Sequence, residues 1–597
     1  MRGGEVMVKV RSIVLILGVL AVTTAHALEP GDRVDNFRLL DHRGDSHELY
    51  YHTDASAIVV MVQGNGCPIV RNQLPRLAEI REAYAEKGVE FLLINSNLHD
   101  DRDRIRAEAT EFAIDFPILM DSSQLIGESM GFRRTAEVFV INPKRWQLAY
   151  RGPIDDRVSY QSQRPTATRD YLTDALEAVL AGETVRQAEV ESEGCLVHFP
   201  ARDQRAEQTP SYSEDIAPLI ADNCIACHRP GGIGPFAMSE YAIIHGFAPM
   251  IREVLRTDRM PPWHADPHHG DFSNDRSLTT AERQKLVRWV EAGAPRGEGE
   301  DPLPAIAARD WPEWELGEPD LIIELPAFDV PATGVIAYQH PRISNPLEEG
   351  VWVRAVDFEP GDRAVVHHII ATFAGQEGRH QREGALGSAL GGFVPGGGPT
   401  RYPEGTGVYL EPDAIFVLQM HYTTMGRATT DVTRMALYFA DEAPERELRN
   451  LVLINPRIQI PPHTRKHTEQ AAHTFEHNVW VHSLLPHAHY RGRSSEFIAV
   501  HADGSEEILL SVPNYDFNWQ HDYVLAEPVF LAAGTTLIHR TSWDNSAQNR
   551  ANPDPSVEVR WGLQSWDEML FGSVRYTRAE AAAETAEVTR PVNASGH

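Results

Sequence analysis

The sequence predicts a multidomain chain: an α/β domain, a small all-α domain, and two antiparallel β-sandwiches of jelly-roll type. Three observations predict it. Between residues 28 and 200, short apolar runs alternate with charged amphipathic stretches, the grammar of an α/β sheet. Residues 211–300 hold helical stretches around a Cys-x-x-Cys-His segment. From 315 to 577 helical periodicity disappears, and short alternating runs follow one another between Gly/Pro turns. A chain of 597 residues has room for several separate cores.

Composition narrows the function classes. Lys and Arg total 55 against 85 Asp and Glu, a net charge of −30, which argues against nucleic acid or an anionic membrane surface as partner. Four cysteines are too few for a disulfide scaffold, whereas 27 histidines make metal chemistry worth a search. Residues 1–27 read as a secretory leader: Lys9 and Arg11 flank the apolar run Ile13–Val22, and Ala25-His26-Ala27 is a cleavage site. The mature chain is expected to be periplasmic or secreted, with no stable membrane insertion.

In the first domain, Ala57–Val62 reads as a buried strand running through Gln63-Gly-Asn-Gly-Cys67-Pro68 into a helix over Arg71–Glu86. Phe91–Asn95, Phe116–Met120, Val138–Ile141 and Leu148–Gly152 are the further strands. A cysteine between a strand and a helix N-terminus gains thiolate character from the helix dipole. By order of elements, residues 28–200 resemble the thioredoxin/redoxin family. The family's Cys-x-x-Cys stands here as Cys67-Pro68-Ile69-Val70, without its second cysteine, and its proline before the penultimate strand is Ala136. Cys195 can pair with Cys67 in an oxidising compartment; the other reading is that both are structural. Residues 201–210 form a polar linker.

Cys224-Ile-Ala-Cys227-His228 is the strongest local signal, the attachment site of a c-type haem. The two thiols form thioethers and the adjacent imidazole becomes an axial ligand. Tyr212–Ile220 leads in as a helix, and Leu278–Ala292 follows as an amphipathic helix with Trp289 on its apolar face. Met260, held between Arg259 and two prolines, is the expected sixth ligand, with Met250 and His264 as alternatives. The segment 211–300 resembles a small class I cytochrome c with one haem c per chain.

In the β-rich half, runs at Val351–Phe358, Ala414–Tyr422, Met435–Phe439, Phe497–Val500 and Thr536–His539 read as strands. Histidines sit on them in three groups: His367-His368, His421, and His487-Ala-His489. Residues i and i+2 of a strand share a face, so His487 and His489 stand side by side, whereas His367 and His368 need a bend to share a metal. Met569, in Trp566-Asp-Glu-Met569, adds a thioether. Imidazoles with one thioether suit copper better than zinc.

This ordered set resembles the copper type II ascorbate-dependent monooxygenases, the peptidylglycine and dopamine hydroxylases. The resemblance divides the region into sandwiches at 315–445 and 446–577, followed by a tail at 578–597. It implies two coppers per chain. His367, His368 and His421 would hold an electron-storing copper; His487, His489 and Met569 would hold the catalytic, oxygen-binding one. In that family the coppers face each other across a solvent cleft. Two departures stand out. Residues 300–597 contain no cysteine, where the eukaryotic members carry disulfides. The arginine that binds the substrate carboxylate of the peptide hydroxylase, two residues before His-x-His, is Leu485 here, against a peptidylglycine substrate.

The expected activity is hydroxylation of a C–H bond in a small-molecule substrate by O2, with electrons arriving from a periplasmic donor through the haem. Two alternatives remain: a copper-binding electron-transfer or copper-handling protein without turnover, and a thiol-disulfide oxidoreductase working through the first domain. His482, near the His-x-His, is a further residue for a supporting role.

Overall fold

The structure is a computed structural model, and it describes residues 28–579 except 162, 206–208, 310–311, 375–387 and 395. The leader, and the tail beyond Ala579, lie outside the described residues.

Five strands form the sheet of the first domain: β1 (Ala57–Gln63), β2 (Val89–Asn95), β3 (Ile118–Met120), β4 (Val138–Asn142) and β5 (Gln147–Gly152), in the order β3-β2-β1-β4-β5. β1, β2 and β3 are parallel; β4 and β5 are antiparallel to their neighbours. β1 is fully buried, which explains why it reads as an unbroken apolar run. Helices α1 (Pro68–Tyr84) and α2 (Tyr171–Ala181) bury apolar faces in one of the two cores flanking the sheet. Cys67 is the N-cap of α1, with Pro68 at the first helical position. Ala136 has φ 64°, and its N–H donates to the Val62 carbonyl at 2.7 Å. A proline can do neither, so the family's proline has no place in this backbone.

The second domain is helical. A π-turn over Tyr212–Ile216 leads into α3 (Ala217–Asn223), followed by α4 (Tyr241–Arg256) and α5 (Thr280–Glu291). α5 opens with a capping box between Thr279 and Glu282, and Trp289 is buried, 1 % exposed. The domain packs on the first through Arg102 and Asp266, a buried ion pair at 2.6 Å, and through Arg288 and Glu128 at 2.6 Å.

Two β-sandwiches follow. In the first, β6 (Val351–Glu359), β7 (Val366–Ala374), β8 (Ser388–Phe393), β9 (Ile415–Tyr422) and β10 (Arg434–Phe439) fall into two sheets. β9, β7 and β8 form one with the short strand Arg342–Ser344; β6 and β10 lie in the other. Val353, Val356, Ile369, Phe373 and Phe416 meet in one core. The second is built of β11 (Arg449–Ile454), β12 (His467–Thr474), β13 (Val479–His487), β14 (Gly492–Val500), β15 (Glu506–Val512), β16 (Tyr523–Leu531), β17 (Thr536–Trp543) and β18 (Phe571–Arg578). Its sheets run β11-β18-β13-β16 and β12-β17-β14-β15, with Val481, Leu484, Phe497 and Leu537 in the shared core. Among the described residues no helix is long and apolar enough to cross a membrane.

Candidate metal centres and the thiol pair

The first histidine group is made by a bulge. β7 and β9 pair antiparallel, Val366 opposite Tyr422 and His368 opposite His421, with a register shift between. The extra residue is His367. A bulge turns neighbours that would face oppositely toward one side, which supplies the bend that the sequence requires. The ligand atoms of His367, His368 and His421 all lie within 4.8 Å of one another. His367 Nδ1 is 3.2 Å from His368 Nδ1 and 3.1 Å from His421 Nδ1.

Partners behind the rings fix which nitrogen faces inward. His367 Nε2–H donates to Asn518 Oδ1 and His368 Nε2–H to Gln419 Oε1, each at 3.4 Å, which leaves the Nδ1 lone pairs converging. Lone pairs this close repel unless a proton or a cation lies between them. Protonation is disfavoured. Burial first, then the neighbouring imidazoles, holds His421 down to about 3 and His368 well below its ordinary value. A cluster of neutral imidazoles fits a metal ion.

The second group stands at the end of β13. His487 and His489 rings are 5.2 Å apart, nearly perpendicular. His487 Nδ1–H donates to Gln520 Oε1 at 2.7 Å, and His489 Nδ1–H to the Asp567 carbonyl at 3.2 Å, so both rings keep the Nε2 lone pair. His489 Nε2 is buried and has no hydrogen-bond partner, the mark of an atom placed for a ligand. Burial lowers His487 to about 4. Met569 is buried two residues before β18, whose Phe571 pairs with His487.

Glu568 ties these pieces together. It is fully buried, and its carboxylate accepts from His489 N (2.8 Å), Arg491 N (2.6 Å), Met569 N (3.3 Å) and Trp543 Nε1 (3.0 Å). One side chain thereby fixes the backbone of both the His-x-His turn and the methionine.

The two groups abut. His368 and His487 ring centroids are 6.4 Å apart, so the open cleft expected from the family resemblance is closed here. Gln520 spans them, with Oε1 on His487 and Nε2 3.4 Å from His368 Nδ1. Phe517 lies flat against His367 at 5.4 Å, and Tyr338 contacts His368, His421 and His489 at 5.6, 4.8 and 6.1 Å. Gln520, Phe517 and Tyr338 are site residues that the sequence motifs do not reveal; Glu568 stands in the Trp566–Met569 motif, which does not show its bracing role. His482 bonds Thr577 Oγ1 at 3.0 Å within the sandwich.

In the helical domain, Cys224, Cys227 and His228 follow directly on α3. His228 Nδ1–H donates to the Phe236 carbonyl at 3.0 Å, which leaves Nε2 for iron. Cys224 caps the C-terminus of α3, not an N-terminus, and burial pushes its thiol up to about 12. Thiols raised in this way disfavour exchange chemistry. Cys224, Cys227 and a His228 ring with its Nε2 left over are the donor types a c-type haem would use. Met260 follows shortly after the end of α4. Its N–H reaches Val254 O at 3.4 Å, while the ring beside His228, Phe236, stacks on Phe247. At 1.5 Å per residue, Val254 is about 10 Å along α4 from Phe247. His264 donates to the Asp258 carbonyl, and Met250, one turn from Phe247, is 51 % exposed.

In the first domain Cys67 and Cys195 come together, with Sγ atoms 3.4 Å apart. Cys195 lies on a strand-like segment docked on the Ala136 loop: Thr135 N donates to Cys195 O at 2.9 Å, Val197 N to Arg133 O at 3.1 Å, and Arg134 bridges Leu196. Thr135 Oγ1 is 3.0 Å from Cys67 Sγ and accepts from Cys195 N. Burial works to raise Cys67, but the Thr135 hydroxyl, the Val70 N–H and Cys195 outweigh it and hold the thiol below its ordinary value. Burial and the neighbouring Cys67 raise Cys195. The second cysteine absent from the helix is supplied from 128 residues downstream.

Residues 30–151 match the AhpC/TSA family. Thiol-disulfide oxidoreductase ResA of Halalkalibacterium halodurans is 25% identical over 112 residues, 19% of this chain and 62% of that protein, so the chain spans less than two thirds of that relative's length. A hypothetical protein of Sinorhizobium meliloti 1021 is 30% identical in sequence, with 29% of this chain and 95% of that one covered and a TM-score of 0.27. An uncharacterized conserved protein of Geobacillus kaustophilus is 27% identical, with 29% and 93% covered and a TM-score of 0.26. The N-terminal domain is thus a redoxin, thioredoxin-like domain of the kind found in thiol-disulfide oxidoreductases.

Proposed function

We propose that the C-terminal half is a copper-dependent monooxygenase acting on a C–H bond of a small, uncharged substrate outside the cytoplasm. One observation carries this reading: the bulge in β7 gathers three neutral imidazoles directly beside the His487–His489 pair. His367, His368 and His421 would hold one copper; His487, His489 and Met569 would hold the other. Copper there supplies one-electron redox chemistry with O2, for the overall change R–H + O2 + 2 electrons + 2 protons to R–OH + H2O. The chain's own residues orient and exclude. Gln520 and Asp567 keep the ring protons on Nδ1 of His487 and His489. Tyr338 and Phe517 lay aromatic surface against both histidine groups. Leu485 offers no charge to a substrate carboxylate. Cys224, Cys227 and His228 would hold a haem c that takes electrons from a periplasmic donor.

The test is metal analysis of protein produced in the periplasm, followed by product screening under labelled dioxygen. Two coppers and labelled product are expected. Two coppers without product would support the copper-handling alternative, and the absence of copper would refute both.

A second reading has its own observation. The Cys67–Cys195 pair supports thiol–disulfide exchange in the N-terminal domain, and the similarity to ResA supports it further. The two activities occupy different domains. Insulin reduction by the full chain, lost in Cys67→Ser, tests it.

A further inference from the structure

The two sulfurs of the N-terminal pair are not equivalent, and their placement gives exchange a direction. Cys67 is 3 % exposed at the base of α1, covered by the segment that carries Cys195. Cys195 is exposed. The cover is closely fitted. A Cβ on Gly194 would stand 1.9 Å from the Thr135 carbonyl oxygen, so only glycine allows this approach. Gly194 N donates to Tyr160 Oη at 2.8 Å. Tyr160 and Leu196, 60 % and 57 % exposed, flank the outer sulfur. In a disulfide the sulfurs lie about 2.05 Å apart, so a closing movement of about 1.4 Å joins this pair.

We infer that Cys195, not the helix-capping Cys67, is the sulfur that exchanges with external thiols, and that Cys67 is the buried leaving group. This rests on the thiol–disulfide reading above and adds the point of attack. An external thiolate attacks Cys195 Sγ along the open side; the Cys67–Cys195 bond breaks, and its electron pair goes to Cys67 Sγ. The Thr135 hydroxyl and the N-terminus of α1 receive that charge. A second external thiolate attacks the external sulfur of the mixed disulfide and releases Cys195. Two external thiols are oxidised to one disulfide, the protein disulfide is reduced to two thiols, and the two protons pass from the external thiols to Cys67 and Cys195. The partner is a thiol that reaches Cys195 between Tyr160 and Leu196, with no need to enter the sheet.

The test uses the full chain and glutathione. Oxidised wild-type protein is mixed with excess reduced glutathione, quenched in acid within the reaction, and mapped by peptide mass spectrometry. The transient glutathione adduct is expected on the Cys195 peptide. In Cys67→Ser, glutathione disulfide is expected to load Cys195 and leave the adduct standing. In Cys195→Ser, Cys67 is expected to load roughly tenfold more slowly or worse, because it lies buried. An adduct on Cys67 in the quenched wild type would overturn the direction of attack while leaving the exchange activity intact. A folded wild type that never forms the Cys67–Cys195 disulfide in oxidising glutathione would overturn the thiol–disulfide reading itself.

Discussion

Replacing Glu568 by alanine removes the acceptor for four buried donors: the N–H groups of His489, Arg491 and Met569, and the indole N–H of Trp543. A buried donor left without a partner costs about 1–3 kcal/mol. Water entering the space left by the carboxylate would recover part of this, so a net loss of about 4 kcal/mol is the working figure. That lies at the severe end for single substitutions. Local opening should become roughly a thousandfold more frequent, at 1.4 kcal/mol per factor of ten. Hydrogen exchange read by mass spectrometry on peptides spanning 481–495 and 565–575 measures it. Copper bound by His487, His489 and Met569 should fall with it, since both backbone segments lose their common tie, while the site of His367, His368 and His421 stays loaded. Glu568→Gln keeps an acceptor oxygen and should lose much less. If Glu568→Ala exchanged like wild type and kept both metals, the view that this carboxylate sets the second site would be wrong.

Further outcomes follow from other residues. His421→Ala should lower copper from two to one per chain by elemental analysis, because it removes one of three converging ligands. Asp121 is buried, and burial raises its carboxyl from 3.8 to about 6. Its stabilising contribution is therefore complete below about pH 3.8 and lost as pH climbs through about 6, a change of about 3 kcal/mol at 1.36 kcal/mol per pH unit. Asp121→Asn should flatten the stability of the N-terminal domain across that window in urea titrations. Arg102→Ala leaves Asp266 buried without its guanidinium and should cost about 3–5 kcal/mol, read as a lower urea midpoint. An unchanged midpoint would show that the pair does not hold the first two domains together.

The elements and the ligands differ in how far the sequence reveals them. β1, β4, β6, β9 and α5 stand within a few residues of where apolar periodicity and turn signals predict them, because each buries a face whose pattern is local. The candidate histidine ligands are legible for the same reason: His487-Ala-His489 follows strand alternation. What holds them is not local. His367 reaches the first cluster only through the bulge opposite Tyr422, and a bulge leaves no mark in the residues that form it. The sequence offers Cys195 as a partner for Cys67, but not the pairing of its segment with Arg133–Thr135 that brings it there, a contact spanning some sixty residues. The sixth haem ligand expected at Met260 rests on a local setting alone, a methionine followed by two prolines, whereas the ring next to His228 is placed by its stacking on Phe247 of α4.

The segment from Phe517 to His521 shows what such non-local contacts accomplish. In sequence it resembles a turn at a strand end. In space Phe517 lies flat on His367, Asn518 accepts from the same ring, and Gln520 holds His487 while touching His368. His521, the next residue, donates to the Pro262 carbonyl of the helical domain at 2.7 Å and is buried beside Trp263. One short loop therefore fixes the spacing between the histidine groups and ties it to the domain that carries the haem motif. A shift of that loop would alter the spacing between the two groups before it altered either group alone. The helical domain and the two histidine groups are thereby joined through one loop, by contacts that no stretch of sequence carries by itself.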